Sequence, residues 1–200
     1  MRRAKIMKRM LVVPAVLVLA TLAAAESRLF LSAGAGFLRP GDAAFRSAYG
    51  NPAVFPEFAA SVRVVAGLCL SGSVGQFRRT GVSHELGLET RARQSYVSYG
   101  LSYLLRLSPL ICLQAGAGMA SLSFREEAFG TEIRGRHSGF EARAGVFLVP
   151  EDERVFMGLT AGYVSARVPG PDVDPALSRA LRLGGLKVAI SVGIQLFGAE

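Results

Sequence analysis

Residues 97–107 read VSYGLSYLLRL. Val97, Tyr99, Leu101, Tyr103, Leu105 and Leu107 occupy every second position, and Ser98, Gly100, Ser102 and Arg106 stand among the alternate ones. A repeat of two belongs to an extended strand, whose successive side chains point to opposite faces. One face of this strand is apolar, and the other is small or polar. Eleven residues at ~3.3 Å each, tilted by ~40°, rise roughly 28 Å, enough to cross the apolar band of a membrane.

The same alternation recurs on either side. It is found over residues 29–37 (Leu29, Leu31, Ala33, Ala35 and Phe37 against Phe30, Ser32, Gly34 and Gly36), 58–64, 68–74, 111–119, 140–148, 157–163 and 188–196. In the last of these, Val188, Ile190, Val192, Ile194 and Leu196 face one way, and Ala189, Ser191, Gly193 and Gln195 the other. Eight strands are therefore expected. The links between them fall at residues 40–52, 65–67, 79–94, 108–109, 125–138, 150–154 and 169–185, alternately long and short, and rich in Pro, Gly, Asp and Glu. An even number of antiparallel strands with short turns at one end and long loops at the other is the pattern of an outer-membrane barrel. No stretch after Leu22 holds eighteen uninterrupted apolar residues, so helical spans are not expected.

Hydrocarbon dictates the closure. Every backbone N–H and C=O inside it must find an internal partner, which leaves helices or closed sheets. Closing eight strands puts the apolar set against lipid and the glycines, serines and charges in a lumen barely wide enough for side chains. A soluble eight-stranded ligand carrier would invert these faces. It would expose the set that here carries glycine and serine, where Lys, Glu and Thr would be expected. Tyr99, Tyr103 and Tyr163 fall on the lipid set and are expected to contribute to an interfacial girdle.

The first twenty-five residues read differently. Arg2, Arg3, Lys5, Lys8 and Arg9 form a basic start, residues 10–22 an apolar run, and Ala23, Ala24 and Ala25 a small-residue site before Glu26. This is the pattern of a secretory signal peptide cleaved after Ala25. The expected organisation is thus signal peptide over 1–25 and barrel over 26–200. The formal charge of +8 is mostly the signal's: without its five basic residues, 23 falls to 18 against 15 acidic, a net of +3. Nucleic acid is therefore not an expected partner. Charged residues at 19% and hydrophobic ones at 50% also exclude a disordered chain.

Three stretches carry a family resemblance: LSAGAGFLRPGDAAFRSAYG (31–50), SPLICLQAGAGMA (108–120) and LKVAISVGIQLF (186–197). Together with the strand count, they resemble the small outer-membrane β-barrel family of Gram-negative bacteria, of the opacity-protein, OmpA and OmpX type, over essentially all of residues 26–200. The resemblance implies an all-β, eight-stranded, antiparallel up-and-down transmembrane barrel in the outer membrane. Its N- and C-termini would lie in the periplasm, and the protein would be a monomer in contact with outer-membrane lipid and lipopolysaccharide. The last strand resembles the signal read by the barrel-assembly machinery, through Ser191, Gly193, Leu196 and Phe197, although Gly198, Ala199 and Glu200 follow where the family ends on an aromatic residue. The function implied is structural or surface interaction without catalysis. One alternative is a narrow pore or small-apolar-solute channel of the OmpW kind, and another is a lipid-acting enzyme.

Chemistry-bearing residues are few. Glu57, Arg63, Arg106, Glu141 and Arg143 fall on the inward set. Unpaired charge in a narrow lumen is costly, so these five are expected to pair with one another as a rigid plug. His137, Ser138 and Glu141 are the residue types of a hydrolytic triad, but neighbours on a strand point to opposite faces, so no catalytic residue is expected. Cys69 and Cys112 are separated by a whole strand, about 9.6 Å, beyond bridging distance. They are expected to be free thiols, and no metal or cofactor site is expected. Arg78, Arg79, Arg91 and Arg93, with Glu85 and Glu89, place a basic loop at the outer surface; charge-bearing loops are usually just solvated, and the alternative is a contact with lipopolysaccharide phosphate. A short helix is expected over 175–182.

Overall fold

The computed structural model describes residues 28–50, 53–82, 89–128, 131–150, 154–168 and 181–196. In chain order they form β1 (Leu29–Pro40), helix α1 (Ala43–Tyr49), β2 (Ala53–Val65), β3 (Leu68–Val82), β4 (Glu89–Arg106), β5 (Ile111–Ala128), β6 (Thr131–Leu148), β7 (Val155–Val168) and β8 (Leu181–Leu196). Each strand pairs antiparallel with the next and β8 pairs with β1, so the sheet closes into an up-and-down barrel. No described helix is long and apolar enough to cross a membrane.

The register fixes the shape. Stepping round the ring from Leu29 through Val62, Leu70, Leu101, Ala117, Ala142, Tyr163 and Leu186 returns to β1 at Arg39, ten residues from the start. Ten residues at ~3.3 Å against eight strand spacings of ~4.8 Å correspond to a tilt of about 40°. The displacement is even, so the inside and outside faces match where β8 meets β1. An odd one would have turned β1 over.

All eight strands face as their alternation predicts. Tyr99, Leu101, Met157, Leu159, Ile190 and Val192 stand outward and about half exposed, while Ser98, Ser102, Cys69 and Ala189 are buried inside. So many large apolar side chains standing outward depart from the distribution of a soluble domain. Lipid completes the outer face. The outward apolar run from Val97 on β4 to Leu107, just past its end, rises ~25 Å at this tilt, the height of such a belt.

The lumen is filled rather than open. In its long-loop half, Leu38, Phe55, Phe77, Tyr96, Leu122, Phe124 and Val164 form a buried apolar cluster. Glycines make room for the rings. A Cβ on Gly75 would lie 2.6 Å from Tyr96 Cε1 and 2.8 Å from Phe55 Cε2, so only glycine fits there. Phe55 and Tyr96 meet edge to face at 5.8 Å between centroids. Helix α1 lies over this cluster. Asp42 Oδ1 accepts the Phe45 N–H at 3.1 Å as its N-cap, and the Phe45 ring meets Phe77 edge-on. The Tyr49 hydroxyl donates to the Glu126 carboxylate.

The long-loop end departs from the expected plan. Residues 79–94 and 125–138 were expected to be loops, yet β3 runs on to Val82, β4 begins at Glu89, β5 reaches Ala128 and β6 begins at Thr131. Beyond the lipid, outward residues no longer need to be apolar, so the alternation disappears while the backbone pairing continues. The pairing of β2 with β3 stops at Glu57–Gly75, and that of β6 with β7 at Phe140–Ser165. Pro56 precedes the last β2–β3 pair and has no N–H to extend the ladder. The four strands β3–β6 therefore project past the ring as a sheet of their own. Of the helix expected over 175–182, Leu181 and Arg182 belong to β8, and the remainder lies outside the described residues.

Candidate functional site

The centre of the lumen is a lysine. Lys187 of β8 is 2% exposed, and its Nζ donates to Glu57 Oε1 of β2 at 2.8 Å and to Glu141 Oε1 of β6 at 2.7 Å. It also lies 3.3 Å from the Tyr96 hydroxyl oxygen and 4.7 Å from that ring's centroid. The register explains how three strands reach one point. Glu57 sits between Gly34 and Gly75, Glu141 beside Gly118, and Lys187 beside Gly162. Neighbours without side chains leave the long charged ones free to cross the barrel.

This arrangement differs from the expected pairing of Glu57, Arg63, Arg106, Glu141 and Arg143 with one another. Both carboxylates go to Lys187, which the strand pattern missed because its apolar run starts one residue later, at Val188. Arg143 is half-buried and lines a small cavity together with Glu141. Arg63 lies near the short turns, paired in register with Cys69, its Nε buried without a hydrogen-bond partner. Arg106 is exposed at the same end, and its guanidinium donates to the Ser108 and Pro109 carbonyls. A side chain two residues from a turn reaches solvent more cheaply than it reaches the barrel centre.

Between the short turns and Lys187 lies a cavity of about 60 Å³, lined by Phe30, Ser32, Ser61, Gln114, Phe147, Phe156 and Ser191 among others. A space of this size has room for a few waters. Glu57 Oε2 is a buried acceptor without a protein partner on the same cavity wall.

The remaining sequence candidates fall in separate places. His137 points inward and Ser138 outward, while Glu141 is committed to Lys187, so the three do not meet. His84 lies outside the described residues. Cys69 and Cys112 are free and buried, as expected. Among the described residues no cluster of His, Cys, Asp and Glu could hold a metal ion. Ser191 lines the cavity, and Gly193 lies against the Phe156 ring, where a Cβ would collide. Leu196 pairs with Leu29, and Phe197 lies outside the described residues.

The outward face of the projecting sheet carries the other concentration of charge. Arg78 pairs in register with Arg93, Arg93 with Arg125, and Arg125 with Arg134. Glu132 takes ion pairs from both Arg125 and Arg134, and the Arg134 hydrogen bond above all holds its carboxyl below the usual carboxylate range. Arg136 Nε donates to Ser121 Oγ at 2.9 Å, and the Ser95 and Ser123 hydroxyls share a hydrogen bond at 2.7 Å.

Solved structures share this architecture. The outer membrane protein OprG of Pseudomonas aeruginosa matches with a TM-score of 0.66 at 12% identity, over 86% of this chain and 97% of that one. The fold is that of the small outer-membrane barrels. Neisserial surface protein A matches with a TM-score of 0.57 at 10% identity, over 86% of this chain and 98% of its own. The attachment invasion locus protein Ail of Yersinia pestis, solved with the heparin analogue sucrose octasulfate, matches with a TM-score of 0.54 at 13% identity, over 86% and 100%. No protein-family model and no curated protein matches the chain.

Proposed function

We propose that this chain is a non-enzymatic outer-membrane protein whose role is structural or one of surface interaction. The observation that carries this reading is the filled lumen inside a lipid-facing belt. The apolar cluster, helix α1 above it and the Lys187 pairs below leave the outward surface of the projecting sheet as the place where a partner can be met. In this reading residues 1–25 direct export and are removed after Ala25. Ser191, Gly193, Leu196 and Phe197 present the last strand to the barrel-assembly machinery. The protein sits as a monomer in the outer membrane with both termini in the periplasm, and the projecting sheet meets lipopolysaccharide. The complex of Ail with a polysulfated sugar supports surface interaction as a use of this fold.

Two measurements test this. Purified protein added to planar bilayers should give no discrete current steps. Steps that persist after repurification would replace this reading with the narrow-pore one. Lipid A incubated with the protein should keep its acyl chains, and released fatty acid would make the protein a lipid-acting enzyme.

A further inference from the structure

The row Arg78–Arg93–Arg125–Arg134 runs across the full width of the projecting sheet, one arginine per strand, each directly opposite the next. Cross-strand neighbours have Cβ atoms roughly 5 Å apart, and like charges placed so are destabilising. Glu132 offsets two of the four, and no described carboxylate forms an ion pair with Arg78 or Arg93. All four side chains are exposed on the outer face. Shallow grooves of about 520 and 330 Å³ open between them, with Arg93 and Arg125 lining both.

The position of the row selects its partner. Four residues further down β4 from Arg93, the outward face turns apolar at Val97, and Tyr99 pairs there with Met119. The row therefore starts just beyond the lipid belt, at the height of the headgroups, and climbs with the strand tilt to Arg134, six residues above the outward Phe140 of β6. Three strand spacings give it a length of ~14 Å, more than one phosphate covers. Guanidinium groups recognise phosphate through paired N–H donors, a planar geometry that lysine lacks.

We infer that this row binds the multiply phosphorylated headgroup of an outer-leaflet glycolipid, with two or more phosphates set along the arginines. The inference rests on the outer-membrane reading above and assigns the surface partner to named residues. The negative headgroup turns a repulsive ladder into a cohesive one, so the lipid holds β3–β6 together beyond the barrel.

The test uses the whole protein reconstituted in phosphatidylcholine vesicles, alone or doped with bisphosphorylated lipid A, monophosphorylated lipid A or phosphatidylglycerol. The readout is the temperature at which the compact gel form converts to the unfolded one. Bisphosphorylated lipid A should raise it by on the order of 5 °C, and monophosphorylated lipid A by less. The variant R78Q/R93Q/R125Q/R134Q should lose this rise and, in plain phosphatidylcholine, equal or exceed the parent because repulsion has been removed. The all-lysine counterpart, which keeps charge and folding, should retain only part of the rise. An equal rise in parent and glutamine variant would overturn the proposal, as would no rise in the parent. A matching rise from phosphatidylglycerol, or from inorganic phosphate with plain vesicles, would overturn it by showing that any anion suffices. Absence of a compact form in every vesicle would instead count against the membrane-barrel reading itself.

Discussion

Lys187 is the side chain on which the interior depends most. It is buried between two carboxylates, and removing it leaves two negative charges without a counter-ion in a largely dry space. Breaking a buried pair from one side typically costs about 3–5 kcal/mol. We therefore expect Lys187→Met to destabilise the vesicle-inserted protein by that amount, read as a lowered urea midpoint at unchanged slope. The triple change K187M/E57Q/E141Q should recover most of the loss, because it removes the charge as well as the partner. A Lys187→Met midpoint equal to the parent's would mean that the pairs contribute nothing. Arg143→Ala, at a half-buried site, should cost less, about 1 kcal/mol. The sequence showed Glu57 and Glu141 on the inward face but not which cation joins them. That depended on the register of β8 against β1 and β7, and on the inward glycines that clear the way across. Alternation assigns a side chain to a face, whereas meeting across a lumen is a property of eight registers at once.

Helix α1 and the projecting sheet show what alternation cannot reach. The stretch DAAFRSAY carries its own local signal, an aspartate as N-cap followed by helix-tolerant residues, although the segment was read as a loop. The turn-like composition of residues 40–52 was easier to see than the seven residues of helix within them. Asp42→Ala removes the acceptor for the Phe45 N–H and should cost the helix ~1 kcal/mol. Amide exchange at residues 43–49 should then accelerate severalfold, while exchange in β4 and β5 stays slow. Equal acceleration in the strands would mean that α1 and the barrel open together. The extensions of β3–β6 escaped the reading for a different reason. The alternation exists only where lipid imposes it, and the paired backbone continues into water with arginine, serine and glutamate outward. The basic character of this region was legible, but its organisation into one row was not, since a row is made by the pairing of four strands.

For the molecule as a whole, the face assignment and the closure are the two claims that matter. Ile190 sits mid-strand on the outer face, 55% exposed, paired with Ala35 and Leu159. An arginine at the centre of a lipid-facing belt costs about 2–4 kcal/mol, and on a water-facing surface almost nothing. Ile190→Arg should therefore reduce the folded fraction in vesicles markedly, and an unchanged fraction would argue for water on that face. Fold class, strand count and the facing of every strand were legible because membrane solvation acts on each residue separately, and eight weak alternations add to one strong pattern. The shear of ten was not, because it depends on how turns and bulges set one strand against the next. Closure itself has a direct physical signature: a ring of hydrogen-bonded strands has no edge at which detergent can begin to unzip it. The measurement that tests the account most directly is electrophoresis of the outer-membrane fraction in SDS, with and without boiling. The account predicts that the protein is in that fraction and that the unboiled form migrates as a compact species, converting to the full-length position on heating. A protein recovered in the soluble periplasmic fraction, migrating identically in both lanes, would contradict it.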